Sequence, residues 1–232
     1  MKKDFKIVGF DADDTLWVNE PYYQEIEGEF IRLMSIFGNP DDIADDLHER
    51  EIDNLGIYGY GAKGFMLSMI ETAVNISNGK VGGTHIAEII AMGRDLINIP
   101  VALIEGVEPV LCSLYDAGIK LIVATKGDLL DQERKLTKSG LSKYFDHIEI
   151  MSYKTEAEYR RMLGILGIEP GDFMMVGNSM KSDILPVLDI GGYAVYVPYH
   201  TTWAHEIVEN TGSLENFHEI REMAELCDVL GL

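Results

Sequence analysis

Short apolar, partly β-branched runs alternate along much of the chain with stretches of helical periodicity, and this alternation narrows the possible folds more than any other feature. The runs fall at 5–10 (FKIVGF), 120–125 (KLIVAT), 147–151 (HIEIM), 173–176 (FMMV) and 193–197 (YAVYV). Helical patterns occupy 107–117, 129–139, 156–166 and 203–210. Strand followed by helix followed by strand predicts a doubly wound, mainly parallel sheet with helices on both faces, an α/β core.

The interval from about 16 to 104 breaks the rhythm. It carries no comparable strand but four amphipathic patterns, at 22–37, 42–55, 65–77 and 85–97. It therefore reads as a helical domain, 17–104, inserted into a core built from 1–16 and 105–232, with Pro100 disfavouring helix just before the second joint. At about 150 residues per domain, 232 residues suit such a pair of unequal lobes. The pair Asp41 and Asp42 after Pro40 fits the start of a helix.

Composition excludes several classes of function. The formal net charge is −20, from 19 basic and 39 acidic residues, and such a surface repels nucleic-acid backbones and anionic lipid headgroups. No nucleic-acid partner and no membrane partner is expected, because no stretch reaches the length of about 18 apolar residues that a spanning helix needs. Cys112 and Cys227 lie far apart and show no metal-ligand spacing, which suits a reducing, cytoplasmic setting.

Chemistry-bearing residues gather at the ends of the strand-like runs. Asp11-Ala12-Asp13-Asp14-Thr15 follows the first run directly, so its carboxylates emerge at the carboxyl edge of the sheet, where open α/β sheets build their sites. Alternation along an extended segment puts Asp11 and Asp13 on one side and Ala12 on the other. Thr125-Lys126-Gly127 ends the second run, Lys154 follows the third after a short loop, and Gly177-Asn178-Ser179-Met180-Lys181-Ser182-Asp183 follows the fourth. Parallel strands bring all of these to one edge.

Taken in order, DxDDT, a strand-end Thr, a later Lys and GNSxxSD resemble the four motifs of the haloacid dehalogenase-like hydrolase superfamily, over roughly 5–15 and 107–198. The resemblance implies a Rossmann-like core, with the helical insert as a cap of that superfamily's C1 type. It also implies a phosphatase acting through an aspartyl-phosphate. A carboxylate nucleophile needs a metal to reduce its repulsion with the phosphate, and Mg²⁺ takes oxygen ligands. In that pattern Asp11 is the nucleophile, with its second oxygen on Mg²⁺. Asp13 gives its main-chain carbonyl to the metal and its side chain to general acid–base catalysis, and Asp183 completes the protein ligands. Thr125, Lys126 and Lys154 bind the phosphate. The family often has an acid where Asn178 stands, so the resemblance implies a metal site that either carries one carboxylate fewer or uses Asn178 as a water-bridged amide.

The acid at Asp13 separates this chain from the metal-free dehalogenating members of the superfamily. A phosphomutase would keep the same residues. A receiver-like signalling module also combines acids, Thr, Lys and Mg²⁺, but there the accepting Asp follows a third strand, whereas here the acidic pair follows the first. A non-catalytic relative is the remaining alternative, raised by Asn178. The stretch Gly59–Gly64 spells GxGxxG but lies in the helical insert without a preceding strand, so a glycine-rich loop is the better reading than a dinucleotide site. Tyr58, Tyr60 and Lys63 beside it are candidate selectivity residues for a small phosphorylated metabolite. Trp17 is expected to pack against the cap, and Asp14 to serve as a turn or helix-start acceptor. The oligomeric state is left open by the sequence.

Overall fold

A computed structural model describes residues 5–201, 203–206 and 214–232. Six parallel strands form one sheet in the order β3-β2-β1-β4-β5-β6. They are β1 (Ile7–Phe10), β2 (Lys120–Lys126), β3 (His147–Met151), β4 (Phe173–Gly177), β5 (Tyr193–Tyr196) and β6 (Phe217–Glu219). From β1 the chain builds outward on one side through β2 and β3 and on the other through β4, β5 and β6. Topology therefore reverses beside β1, and at such a switch point the loops leaving adjacent strands diverge and open a crevice.

The central strands β1 and β4 are buried along their whole length and apolar, because both faces of the sheet are covered there. Alternation sends Val8, Phe10, Leu121, Val123, Met174 and Val176 into one layer, against Val110, Leu111 and Leu114 of α5 (Val107–Asp116). Ile7, Ile122, Ala124, Phe173 and Met175 enter the other, against Tyr159, Met162 and Leu163 of α7 (Glu156–Leu166). Helix α6 (Leu129–Ser139) follows β2. The start of α7 is written locally: Thr155 accepts a bond from the Glu158 N–H, Glu156 and Glu158 sit in the first turn, and Gly167 ends the helix with φ 68°.

The chain divides into two compact units. The sheet unit takes 1–20, 101–126 and 132–232; the second takes 21–100 together with 127–131. These joints fall a few residues inside the expected 17–104 insert, because both crossing segments are tied to each other within the sheet unit. Val18 N–H donates to Ala102 O at 2.9 Å, Ile104 N–H donates to Leu16 O at 3.0 Å, and Trp17 forms an antiparallel bridge with Leu103. Trp17, 1% exposed, is buried in the sheet unit's core, so the expected packing against a cap is replaced by packing beside β1.

The second unit holds α1 (Glu20–Met34), α2 (Pro40–Tyr58), α3 (Ala62–Ile76) and α4 (Gly83–Asn98), whose apolar faces meet through Phe30, Met34, Leu47, Met69 and Ile89. Pro40 opens α2, with Asp41 and Asp42 in its first turn.

Four of the elements go beyond the sequence-based expectation. A wide π-type turn at Met180–Ile184 runs into the short α8 (Leu185–Asp189), β6 extends the sheet, and α9 (Glu225–Leu230) packs Leu226 on the first layer. The helix expected at 203–210 is represented by a 3₁₀ turn, Ala204–Glu206; the remainder of that stretch lies outside the described residues. Among the described residues, no helix is long and apolar enough to cross a membrane.

Candidate active site

The register of the sheet brings four distant segments to one edge. Asp11 leaves β1, and its N–H continues the ladder by donating to Val176 O of β4 at 2.9 Å. Thr125 is the next-to-last residue of β2, Lys154 sits between β3 and α7, and Asn178 through Asp183 follow β4. Asp11, Thr125, Lys154 and Asp183 are all buried.

Lys154 joins the outer pieces. Its Nζ donates to Asp11 Oδ1 and to Asp183 Oδ1, each at 2.5 Å, across 143 and 29 positions of sequence. Asp183 Oδ2 accepts the Ser179 N–H at 3.0 Å, and Ser179 Oγ accepts the Ser182 N–H, which fixes the wide turn that presents Asp183. Gly177 is required beneath it: a Cβ there would stand 2.3 Å from Asp183 Oδ2. The Thr15 hydroxyl lies 3.3 Å from Asp11 Oδ2 and 3.2 Å from Asn178 Oδ1, so one hydrogen serves either acceptor.

Two carboxylates share one ammonium here, and the titration follows. Burial pushes the Asp11 carboxyl up to about 7; Lys154 opposes this, while Asp183 adds to it. Burial alone would lower Lys154, but the two carboxylates outweigh it and hold the ammonium above the ordinary lysine range. Lys154 is thus a fixed cation and Asp11 a carboxylate short of positive charge.

Asp13 is held differently. Its Oδ1 accepts Trp17 Nε1 at 2.8 Å and Lys135 Nζ at 2.9 Å, and its Oδ2 accepts Gln132 Nε2 at 2.8 Å. Asp14, in the left-handed region at φ 59°, accepts the N–H groups of Asn19 and Glu20 at 2.8 and 2.9 Å. It is the helix-start acceptor of α1. Burial pushes its carboxyl up to about 7 against those two donors.

A third cluster lies beside Thr125, whose hydroxyl donates to Lys126 O at 3.1 Å. The Lys126 ammonium donates to Glu206 Oε1 at 2.5 Å and to Ser182 Oγ at 2.9 Å. Glu206 also accepts from the hydroxyls of Ser179 and Ser182. Burial would raise its carboxyl, but Lys126 and the two serines outweigh burial and hold it at about 2.

Asp11, Asp13, Thr125, Lys126, Lys154, Asn178 and Asp183 therefore all stand at the same sheet edge. Tyr58, Tyr60 and Lys63 belong to the second unit, where Tyr58 Oη donates to Glu71 Oε1 at 2.7 Å and Lys63 pairs with Asp128 at 2.9 Å. Sequence reasoning missed Gln132, Lys135 and Glu206. The first two are three apart on α6, the helix that follows β2, and that spacing could have marked them as one face of it. Glu206 carries no such signal.

Comparison with known proteins bears on the family and the fold. A family model described as haloacid dehalogenase-like hydrolase matches residues 5–191. A haloacid dehalogenase-like family hydrolase from Xanthomonas campestris superposes with a TM-score of 0.87 at 35% identity, covering 100% of this chain and 94% of that one. The putative HAD-hydrolase YfnB from Bacillus subtilis, described as bound to magnesium, shares the fold at 17% identity and a TM-score of 0.68, over 99% and 100% of the two chains. N-acylneuraminate-9-phosphatase from Mus musculus is 31% identical over 78 residues, 32% of each protein. The chain matches the curated relatives over only about a third of their length.

Proposed function

The chain belongs to the haloacid dehalogenase-like hydrolase family, and from that premise we propose that it is a Mg²⁺-dependent phosphatase, which hydrolyses a small phosphate monoester through an aspartyl-phosphate on Asp11. The observation that carries this reading is the bridge from Lys154 to both Asp11 and Asp183 at the end of the sheet, with Thr125 on the neighbouring strand end. The phosphatase name of the curated relatives supports it.

In this reading an Asp11 oxygen bonds to phosphorus as the ester P–O bond breaks, and Asp13 delivers a proton to the departing oxygen. Water then attacks the aspartyl-phosphate, Asp13 takes its proton, and Asp11 and inorganic phosphate are released. Lys154, already fixed on Asp11, offsets the charge of the transferring group, and Thr125 and Lys126 hold phosphate oxygens. The Lys126 ammonium exchanges its Glu206 partner for that role.

The donors suit Mg²⁺. Asp11, Asp183 and the Asp13 main-chain carbonyl offer oxygen alone, and two buried carboxylates sharing one ammonium leave negative charge for a divalent cation to balance. Mg²⁺ is commonly held by one or two carboxylates together with water and phosphate oxygens, and Asp11 and Asp183 would supply those carboxylates. When bound, Mg²⁺ would neutralise the phosphoryl oxygens as the nucleophile approaches. Asn178 would act through water.

The helical unit takes the role of the cap in this proposal, restricting substrates to small metabolites, with Tyr58, Tyr60 and Lys63 as selectivity residues. The free thiols of Cys112 and Cys227 suit a cytoplasmic setting. Phosphate release from a panel of small monoesters tests the whole, with chelator and Asp11→Asn controls. Release lost in both controls is expected; release that survives Asp11→Asn removes Asp11 from its role.

A further inference from the structure

Asp13 is gripped on both oxygens by nitrogen donors from outside its own turn. We infer that Lys135 and Gln132 are positioning residues for Asp13, which aim its carboxyl for proton transfer to the leaving group and tie its orientation to the phosphate-binding strand end; this rests on the phosphatase reading.

The geometry is specific. An aspartate side chain turns about two bonds, and a single partner would leave rotation about the second free. Here Oδ1 takes Lys135 Nζ and Trp17 Nε1 while Oδ2 takes Gln132 Nε2, so both rotations are set. The donors are themselves anchored. Lys135 Nζ also donates to Asn19 Oδ1 at 2.8 Å, and Gln132 Nε2 also donates to Lys126 O at 3.0 Å. That carbonyl is the one that accepts the Thr125 hydroxyl, so one peptide group registers Thr125 and Asp13 to each other.

Burial argues that this is more than a surface ion pair. Gln132 is 4% exposed, and its Oε1 is buried with no partner among the described residues, a cost tolerated where the amide must point its nitrogen at a fixed acceptor. Lys135 and Asp13 are mostly covered, at 18% and 26% side-chain exposure. Proton transfer demands alignment as well as proximity, and misdirecting the group forfeits much of its contribution.

The test exploits leaving groups. An alkyl phosphate must have its departing oxygen protonated, whereas p-nitrophenolate leaves without help. Rapid-mixing kinetics of Lys135→Met and Gln132→Leu are compared with wild type on p-nitrophenyl phosphate and on the best alkyl monoester of the panel. We expect phosphorylation by the alkyl ester to slow about a hundredfold in Lys135→Met, with KM within about twofold and the p-nitrophenol burst nearly as fast as in wild type. Gln132→Leu should show the same split in smaller degree, and Lys135→Arg should recover most of the alkyl-ester rate. Equal slowing on both esters, or no slowing on either, overturns the inference. A wild-type burst that survives Asp11→Asn would instead overturn the phosphatase reading, so the two failures are distinguishable.

Discussion

Two lysines at the same sheet edge face opposite electrostatic problems. Among the described residues, Lys154 serves two buried carboxylates, whereas the ion pair of Lys126 is with Glu206, which two serine hydroxyls also serve. The consequence is visible in the acids: Asp11 is pushed up to about 7, and Glu206 is held at about 2. Burial acts in the same direction on both, so the number of donors per carboxylate decides the outcome. The Lys154 corner is left short of positive charge and suits a further cation and an electrophile. The Lys126 corner is balanced, and an incoming anion there must compete with Glu206.

Removing Lys154 breaks the comparison most severely. Lys154→Met leaves Asp11 and Asp183 buried without their cation, a loss of about 3–5 kcal/mol in unfolding free energy. Urea denaturation reads that cost, and phosphate release should vanish in whatever fraction folds. Unchanged stability would show that the two carboxylates do not depend on Lys154.

The balanced corner predicts a pH dependence. Glu206 sits at about 2 in the fold against an ordinary 4.5, so its stabilisation is present above 4.5 and is lost as pH falls toward 2. The gap corresponds to about 3 kcal/mol at most. Glu206→Gln should lower the urea midpoint at neutral pH, and its deficit relative to wild type should shrink through that acid window. A deficit independent of pH would assign Glu206 a packing role alone.

A subtler change strikes the charge-deficient corner through the backbone. Gly177→Ala places a methyl where Asp183 must lie, 2.3 Å from its oxygen, and should cost about 1–3 kcal/mol while displacing that carboxylate from Lys154. Turnover should fall more than stability; full activity would show that Asp183 can move without consequence.

The smallest effect is expected at Asp14, a buried carboxylate with N–H partners and no cation among its hydrogen bonds. Asp14→Ala removes the acceptor at the start of α1 and puts alanine at a positive φ, for a loss of about 1 kcal/mol, readable as a lowered melting temperature. Phosphate release near the wild-type level would keep Asp14 structural; a large loss would move it into the site.

Much of this was legible beforehand for a local reason. A strand buried on both faces must be apolar along its length, so KLIVAT and FMMV announce themselves, and α2, α3 and α4 show apolar stripes that no strand would need. Where an element is too short for a period to develop, the signal fails. Phe217–Glu219 has three residues, Leu185–Asp189 has five, and the turn at Met180–Ile184 follows no standard helical repeat. Trp17 looked like a packing residue for the insert because an indole carries no mark of which core it joins, and the pairing of the two crossing segments settled it.

The alternating α/β plan, the helical interruption and the acids, hydroxyl and lysine at strand ends are all readable along the chain, because hydrophobic period and motif order are properties of neighbouring residues. How charge is shared among those groups emerges with the folded arrangement. Lys154 meeting Asp11 and Asp183, Lys126 meeting Glu206, and Asp13 meeting Gln132 and Lys135 about 120 positions away depend on strand register and helix placement. Coulomb and hydrogen-bond energies fall off over a few ångströms, and separation along the chain does not reveal which groups come that close.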